Sequence, residues 1–321
     1  MTRLIPMLVA LLLTTSFGFL NSTMSAPLPT FEDFRRADHE RRLTGQRQTA
    51  ESTTLMRVDT NRIARVVSDN RNNPEIRFGV AELQGDWPPA LEANGTNAVV
   101  AFRFACASAV KRDYSTALRW FRYCQTNDIG NLVPWLGELW VLRQQRDLLN
   151  EFRPPADATD YRDYAVPAAR ARIRLLEKAG YSSYAARRIG LMQNTFVESM
   201  AQDLSRDSNV QPPSTQFLLN GARALQRRPT FLLTELVGQS LERAALAAQP
   251  NAGDEPTENR LAEIDARRGE LKQLVAVAEH RTADFATERE MVEYFDNVLA
   301  VGEESAMRRL AVSVRGNSAA P

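Results

Sequence analysis

From residue 55 onward, almost every segment of the chain spaces its apolar side chains with helical period, and no convincing run alternates apolar with polar residues. That pattern argues against any sheet-based architecture and predicts an all-α fold. Helices are expected at about 55–69, 74–83, 97–112, 115–127, 134–149, 160–179, 182–205, 214–227, 229–248, 257–281 and 284–312. Breakers stand between them: Asn72-Asn73-Pro74, Trp87-Pro88-Pro89, Arg153-Pro154-Pro155, Gln211-Pro212-Pro213 and Pro250-Asn251-Ala252-Gly253. Pro134, Pro213 and Pro229 fall where a helix can begin, the position at which a missing N–H costs least.

The first 25 residues carry one ionisable side chain, Arg3, followed by an apolar stretch from Leu4 to Leu13 and a small-residue exit. This is the layout of a secretory signal peptide, with Thr23 and Ser25 at the −3 and −1 positions for cleavage before Ala26. The alternative is an uncleaved anchor, although Leu4–Leu20 is at the short limit for spanning ~30 Å of hydrocarbon. Residues 26–54 are polar and read as a tether or a loosely docked helix. A helical domain is expected over 55–249. After the polar break Gln249–Pro256, a C-terminal helical hairpin is expected over 257–313. Leu261, Ile264, Leu271, Leu274, Val275 and Ala278 form one of its stripes, and Met291, Phe295, Val298 and Leu299 begin the other.

Within the helical domain the chain matches itself at an offset of 34 residues. Asn97-Ala98-Val99 realigns on Asn131-Leu132-Val133, Phe102 on Leu136, and Arg112-Asp113 on Arg146-Asp147. In the first copy, Ala117 lets a second helix approach the first, Phe121 fills the groove one turn later, and Tyr114 follows a polar turn. Ala105 and Cys124 hold the remaining small packing positions. Residues 87–150 therefore resemble the tetratricopeptide-repeat family, about a fifth of the chain, with Ala101 where the motif has tryptophan and Ala105 where it has glycine. The second copy lacks a small residue matching Ala117. The resemblance implies an irregular α-solenoid of stacked hairpins and, with it, a protein or peptide partner. Candidate partner-facing residues are Arg103, Ala107, Trp135 and Glu138 on the first helix of each hairpin. A second hairpin joint is legible at Gly180, placed for the left-handed turn after a helix, with Ser182 or Ser183 as the next cap. Tyr181 and Tyr184 are expected to pack across it, the alternative being a binding hook.

Charge and chemistry narrow the function further. After residue 25 the chain carries 39 basic and 39 acidic residues, which leaves no field to recruit nucleic acid or anionic lipid. Only Lys111, Lys178 and Lys272 are lysines, and the excess of arginine is expected to pair with acids on solvated helix faces. His39 and His280 belong to no H-E-x-x-H helix, no phosphate loop or nucleophile elbow is present, and no metal or other cofactor is implied. Asp157, Asp160 and Asp163 read as capping and solvent-facing carboxylates, and Glu303-Glu304 as surface charges. Cys106 and Cys124 are expected to remain buried thiols. Their distances from the turn at 112–114 differ by about 6 Å along the helices, against a tolerance of ~4.4–6.8 Å between Cα atoms before any lateral offset. Asn21 and Asn94 open glycosylation acceptor triplets that matter only in a eukaryotic source. The expected function is an exported, non-catalytic binding scaffold of the cell envelope or beyond. The alternatives are an all-α enzyme or ligand-binding protein with a pocket lined by Trp120, Phe121, Tyr123, Trp135 and Trp140, and a structural subunit docking through its C-terminal hairpin.

Overall fold

A computed structural model describes residues 27–44, 54–145, 152–154, 160–162, 164–191, 196–206, 214–227, 229–249, 253–284 and 286–317. The expected signal segment, Asp157 and Asp163 lie outside these residues. Among the described residues there are fifteen α-helices and a single isolated bridge, Asn131 to Asp160. The fold is all-α. In order the helices are α1 (Phe31–Thr44), α2 (Thr60–Asp69), α3 (Pro74–Gln84), α4 (Pro88–Asn94), α5 (Ala98–Val110), α6 (Tyr114–Asn127), α7 (Val133–Gln144) and α8 (Ala165–Lys178). They continue as α9 (Ser183–Leu191), α10 (Phe196–Arg206), α11 (Ser214–Arg227), α12 (Leu232–Ala247), α13 (Glu255–Asp284), α14 (Glu288–Val301) and α15 (Glu303–Asn317).

The chain divides into two compact units. Unit 1 holds α1–α4, α8 from Pro167, α9, the end of α13 and α14 up to Asp296. Its helix ends follow from local chemistry. Asp59 and Asn73 accept backbone N–H groups at the starts of α2 and α3, and Gly85, at φ 76°, ends α3 in a conformation that side chains disfavour. At the α8–α9 joint, Gly180 takes φ 89°, the Tyr181 N–H returns to the Leu176 carbonyl at 3.1 Å, and Ser182 caps Ala185 at 3.2 Å. Gly79 brings α3 against α8, where a Cβ would stand 2.6 Å from the Ala171 carbonyl oxygen. Beside that crossing the ion pair between Arg172 and Glu82 is 0% and 1% exposed, and Arg172 Nε donates to the Gly190 carbonyl at 2.8 Å. One guanidinium thus ties α3, α8 and α9 together, a contact that costs desolvation and fixes geometry.

Unit 2 holds α5–α7, α10–α12, α13 up to Ala278, α14 from Asn297, and α15. Here α5 packs on α6, α7 on both, α10 on α7 and α12, and α11 on α12. Gly238 lets α12 approach α11, since a Cβ there would stand 2.9 Å from both the Ala222 oxygen and Leu225 Cβ. The next joint, between α12 and α13, is polar. Arg267 Nε donates to Glu235 at 2.7 Å, Arg260 NH2 to Glu242 at 2.8 Å, and Arg268 Nε to Gln239 at 3.1 Å. Glu235 and Glu242 are seven residues apart, as are Arg260 and Arg267 in the opposite order, which is the register of two antiparallel helices. Ile264, Leu271 and Ala278 supply the buried apolar layers of α13.

Several expectations are corrected by this arrangement. The expected 182–205 helix is formed as two, α9 and α10. Residues 284–312 are not one arm of a hairpin but α14 and α15. Gly302 at φ 90° breaks the helix, and the following Glu303 N–H goes to the Thr230 carbonyl at 2.7 Å. Pro88–Asn94, which none of the expected helices covers, is the short helix α4. Of the two readings of residues 26–54, a tether or a loosely docked helix, residues 31–44 take the second, with Phe34 and Ala37 each 2% exposed. The arginines of α13 do not decorate a solvated face; they reach acids buried on α12. Glu303 and Glu304 are not surface charges. The Glu303 carboxylate accepts the Leu232 N–H at 2.8 Å and so caps α12, whose own N-cap residue, Phe231, offers no side-chain acceptor. Glu304 takes the guanidinium of Arg267 at 2.6 Å and that of Arg308 at 2.7 Å.

Candidate functional site

The α5–α6–α7 segment carries the sequence-derived candidates. Asn97 begins α5 by accepting the Val99 N–H at 2.9 Å, and 34 residues later Asn131 accepts the Val133 N–H at 3.2 Å as α7 begins. Each asparagine accepts the N–H two residues on, but Asn97 is the N-cap of α5, whereas Asn131 stands one residue before Leu132, the N-cap of α7, which has no side-chain cap. Phe102 and Leu136, the next aligned pair, are 0% and 1% exposed. Between α5 and α6 the chain turns through Arg112 at φ 62°, and Asp113 caps α6 through Thr116 and Ser115. Those hydrogen bonds hold the Asp113 carboxyl below its ordinary range, the Thr116 side chain contributing most.

Ala105, Ala117, Phe121 and Cys124 are buried in one cluster with Phe102, Cys106 and Tyr164, and Tyr114 packs against it. The Phe102 ring lies 5.6 Å from Phe121 and 4.6 Å from Tyr164. Gly137 was not singled out from sequence, yet a Cβ there would meet the Phe121 ring at 2.6 Å, so its bare backbone sets how closely α7 approaches α6. Cys106 and Cys124 are buried thiols that share no disulfide. Burial, with Asp128 adding to it, pushes the Cys124 thiol up to about 12, so it stays protonated and inert at neutral pH.

Of the four partner-facing candidates, Arg103 and Ala107 lie one turn apart on α5 and are half-buried. Trp135, also half-buried, sets its ring edge 6.4 Å from Phe152. Glu138 is 4% exposed and turns back to α6, accepting from Arg122 Nε and Gln125 Nε2, both at 2.7 Å. It is a fold contact and leaves the set. Of the proposed pocket aromatics, Phe121 is fully buried, Trp120 stacks edge-on with Phe104 and Tyr123, and Trp140 Nε1 donates to Asp203 at 3.2 Å.

A polar node that sequence reasoning missed closes the segment. Asp128, at the end of α6, is 8% exposed and accepts from Asn131 Nδ2 at 2.8 Å, from the Tyr164 hydroxyl at 2.5 Å, and from Arg162. Asn131 in turn accepts the Arg162 N–H at 3.3 Å. Burial and the adjacent carboxylate push the Tyr164 hydroxyl above its ordinary range, so it stays protonated and donates to Asp128. The node fastens the α6–α7 turn to residues 160–164, where the Asp160 N–H also meets the Gly130 carbonyl at 3.0 Å. Its signal in sequence was weak, because Asp-x-x-Asn across a turn reads as an ordinary cap and the partners lie over thirty residues away.

Among the described residues, no group of three or more His, Cys, Asp and Glu side chains could hold a metal ion, and no helix is long and apolar enough to cross a membrane. No family model matches the chain, and no match was found among curated proteins or solved structures.

Proposed function

We propose that this chain is an exported, non-catalytic scaffold of the cell envelope, built on tetratricopeptide-like hairpins of an irregular α-solenoid, that binds a protein or peptide partner. The observation that supports the reading is that Asn97 and Asn131, 34 residues apart, each accept the N–H two residues on where α5 and α7 begin. The packing of α7 on both α5 and α6 is the contact a stacked repeat needs. Arg103 and Ala107 on α5 are then the residues offered to the partner. Affinity capture from a native envelope fraction, with the chain beginning at Ala26, tests this. A partner enriched over a charge-matched control, and lost with Ala107→Glu while the helical circular dichroism persists, supports the reading. If nothing is enriched over the control, the reading fails.

A further inference from the structure

Helix α1 is lightly embedded in unit 1, and the way it is held says what else could be held there. Its apolar residues reduce to Phe31, Phe34, Ala37 and Leu43. Only Phe34 and Ala37 are fully buried, and Leu43 is 75% exposed. Its N-terminus needs no help from the rest of the chain. Asp33 Oδ2 accepts the Thr30 N–H at 2.9 Å, and Thr30 Oγ1 accepts the Asp33 N–H at 3.3 Å, a reciprocal cap written within the helix itself.

The surface beneath α1 has a group for each of its features. Tyr184 of α9 receives the edge of Phe31 at 4.8 Å and Phe34 at 5.7 Å, and is backed by Phe295 at 5.8 Å. The Arg188 guanidinium sits 5.0 Å over the Phe34 ring, donates to Asp38 at 2.7 Å, and is braced by the Tyr184 hydroxyl at 2.8 Å. Arg188 Nε is buried with no hydrogen-bond acceptor among the described residues, so the resident helix does not use all that the cradle offers. The cradle does not depend on α1 for its shape. Helix α9 is fastened to α8 by Arg172 and the Gly190 carbonyl, and Arg187 binds Glu177 of α8 at 2.6 Å and Asp296 of α14 at 2.7 Å.

We infer that α1 is a displaceable strap over a helix-binding cradle, and that the cradle accepts a partner helix bearing two phenylalanines three residues apart and an acid one turn after the second. This is helix-in-groove recognition with the resident segment as competitor. The cradle lies in unit 1, so a null capture at the α5 face leaves this inference to its own experiment.

The probe is a fluorescein-labelled peptide of residues 27–44, titrated into the full chain and followed by anisotropy. The expected result is weak binding to the wild type and at least tenfold tighter binding to Phe34→Asp, which undocks the strap in cis. Adding Arg188→Met to that variant should weaken binding again at least tenfold. Hydrogen exchange on the wild type supplies the second reading, with α1 amides expected to exchange at least a hundredfold faster than those of α8 and α9. The inference is overturned if Phe34→Asp keeps α8 and α9 protected yet binds no better than wild type. It is equally overturned if that variant fails to fold, or if α1 exchanges in step with α8 and α9, since either makes α1 an integral part of the unit.

Discussion

The α5–α7 segment and the α12–α13 joint both hold neighbouring helices of unit 2 together, by opposite means. In the first, Ala105, Ala117 and Gly137 bring backbones close and Phe102, Phe121 and Cys124 fill the space, with polar groups at the caps and turns and one buried carboxylate, Glu138, between α6 and α7. In the second, buried carboxylates on α12 meet guanidiniums on α13 that remain about a third exposed. Apolar packing gains from every buried methylene and tolerates small shifts. An ionic seam gains little net free energy after desolvation, yet admits one register, because sliding α13 by a heptad would leave a buried Glu without its partner. The first joint supplies stability and the second supplies alignment.

That contrast is easiest to break at Phe121, which is 0% exposed. Phe121→Ala should cost about 3–5 kcal/mol in urea unfolding, the loss expected of a buried aromatic whose cavity cannot collapse. At the seam, Arg267→Met strands Glu235 and should cost about 1–3 kcal/mol, less than a fully buried pair because the guanidinium is partly solvated. The double variant Glu235→Leu with Arg267→Leu should recover most of that loss. If it proves as damaging as the sum of its parts, the seam contributes stability and the division of roles is wrong.

The two aligned asparagines sharpen the comparison within the apolar segment. Asn131→Ala removes the acceptor of the Val133 N–H and a donor to buried Asp128, and should cost about 2 kcal/mol. Asn97→Ala removes a cap alone, at about 1 kcal/mol. Thermal unfolding of the two variants reads the difference, and equal losses would mean that the Asp128 node does not bear on α7.

The smallest effect is in pH, and here two carboxylates, Glu242 in the seam and Glu303 at the start of α12, have opposite signs. Burial would raise the Glu242 carboxyl, but hydrogen bonds from Arg260, Gln226 and Arg223 outweigh it and hold it below the ordinary 4.5. Its contribution is present above pH 4.5 and is lost as pH falls through the lowered value. Glu303 is pushed above 4.5 by burial, against the lowering effect of the Leu232 N–H. Its contribution is present below 4.5 and is lost as pH rises through the raised value. Glu303→Gln should therefore raise stability at neutral pH, while Glu242→Gln should lower it and flatten the acid limb of the stability–pH curve.

How much of this was legible follows from what each feature needs. Helix positions needed only periodicity and breakers, and 214–227 and 74–84 were read almost to the residue. Ala117 and Phe121 were legible because a hairpin core is written at fixed local spacing. The break at Gly302 was not, because a lone glycine in a helical pattern is usually tolerated and only its position over Pro229 and Thr230 gives it meaning. The arginines misled for a related reason. An Arg on a helix reads as solvated whatever faces it, and the buried acids that receive Arg260 and Arg267 lie 18 and 32 residues away on another helix. Glu138 was placed on the right helix but assigned outward, since its i+3 and i+4 neighbours do not reveal that Arg122 and Gln125 stand opposite.

The most direct test of the division between apolar and ionic joints is hydrogen exchange of the full chain at about 0.05 M and 1 M sodium chloride, where the screening length falls to about 3 Å. The account predicts that α13 amides lose protection several-fold in high salt while α5, α6 and α7 keep theirs. Equal responses in the two regions, or α13 amides indifferent to salt, would contradict it.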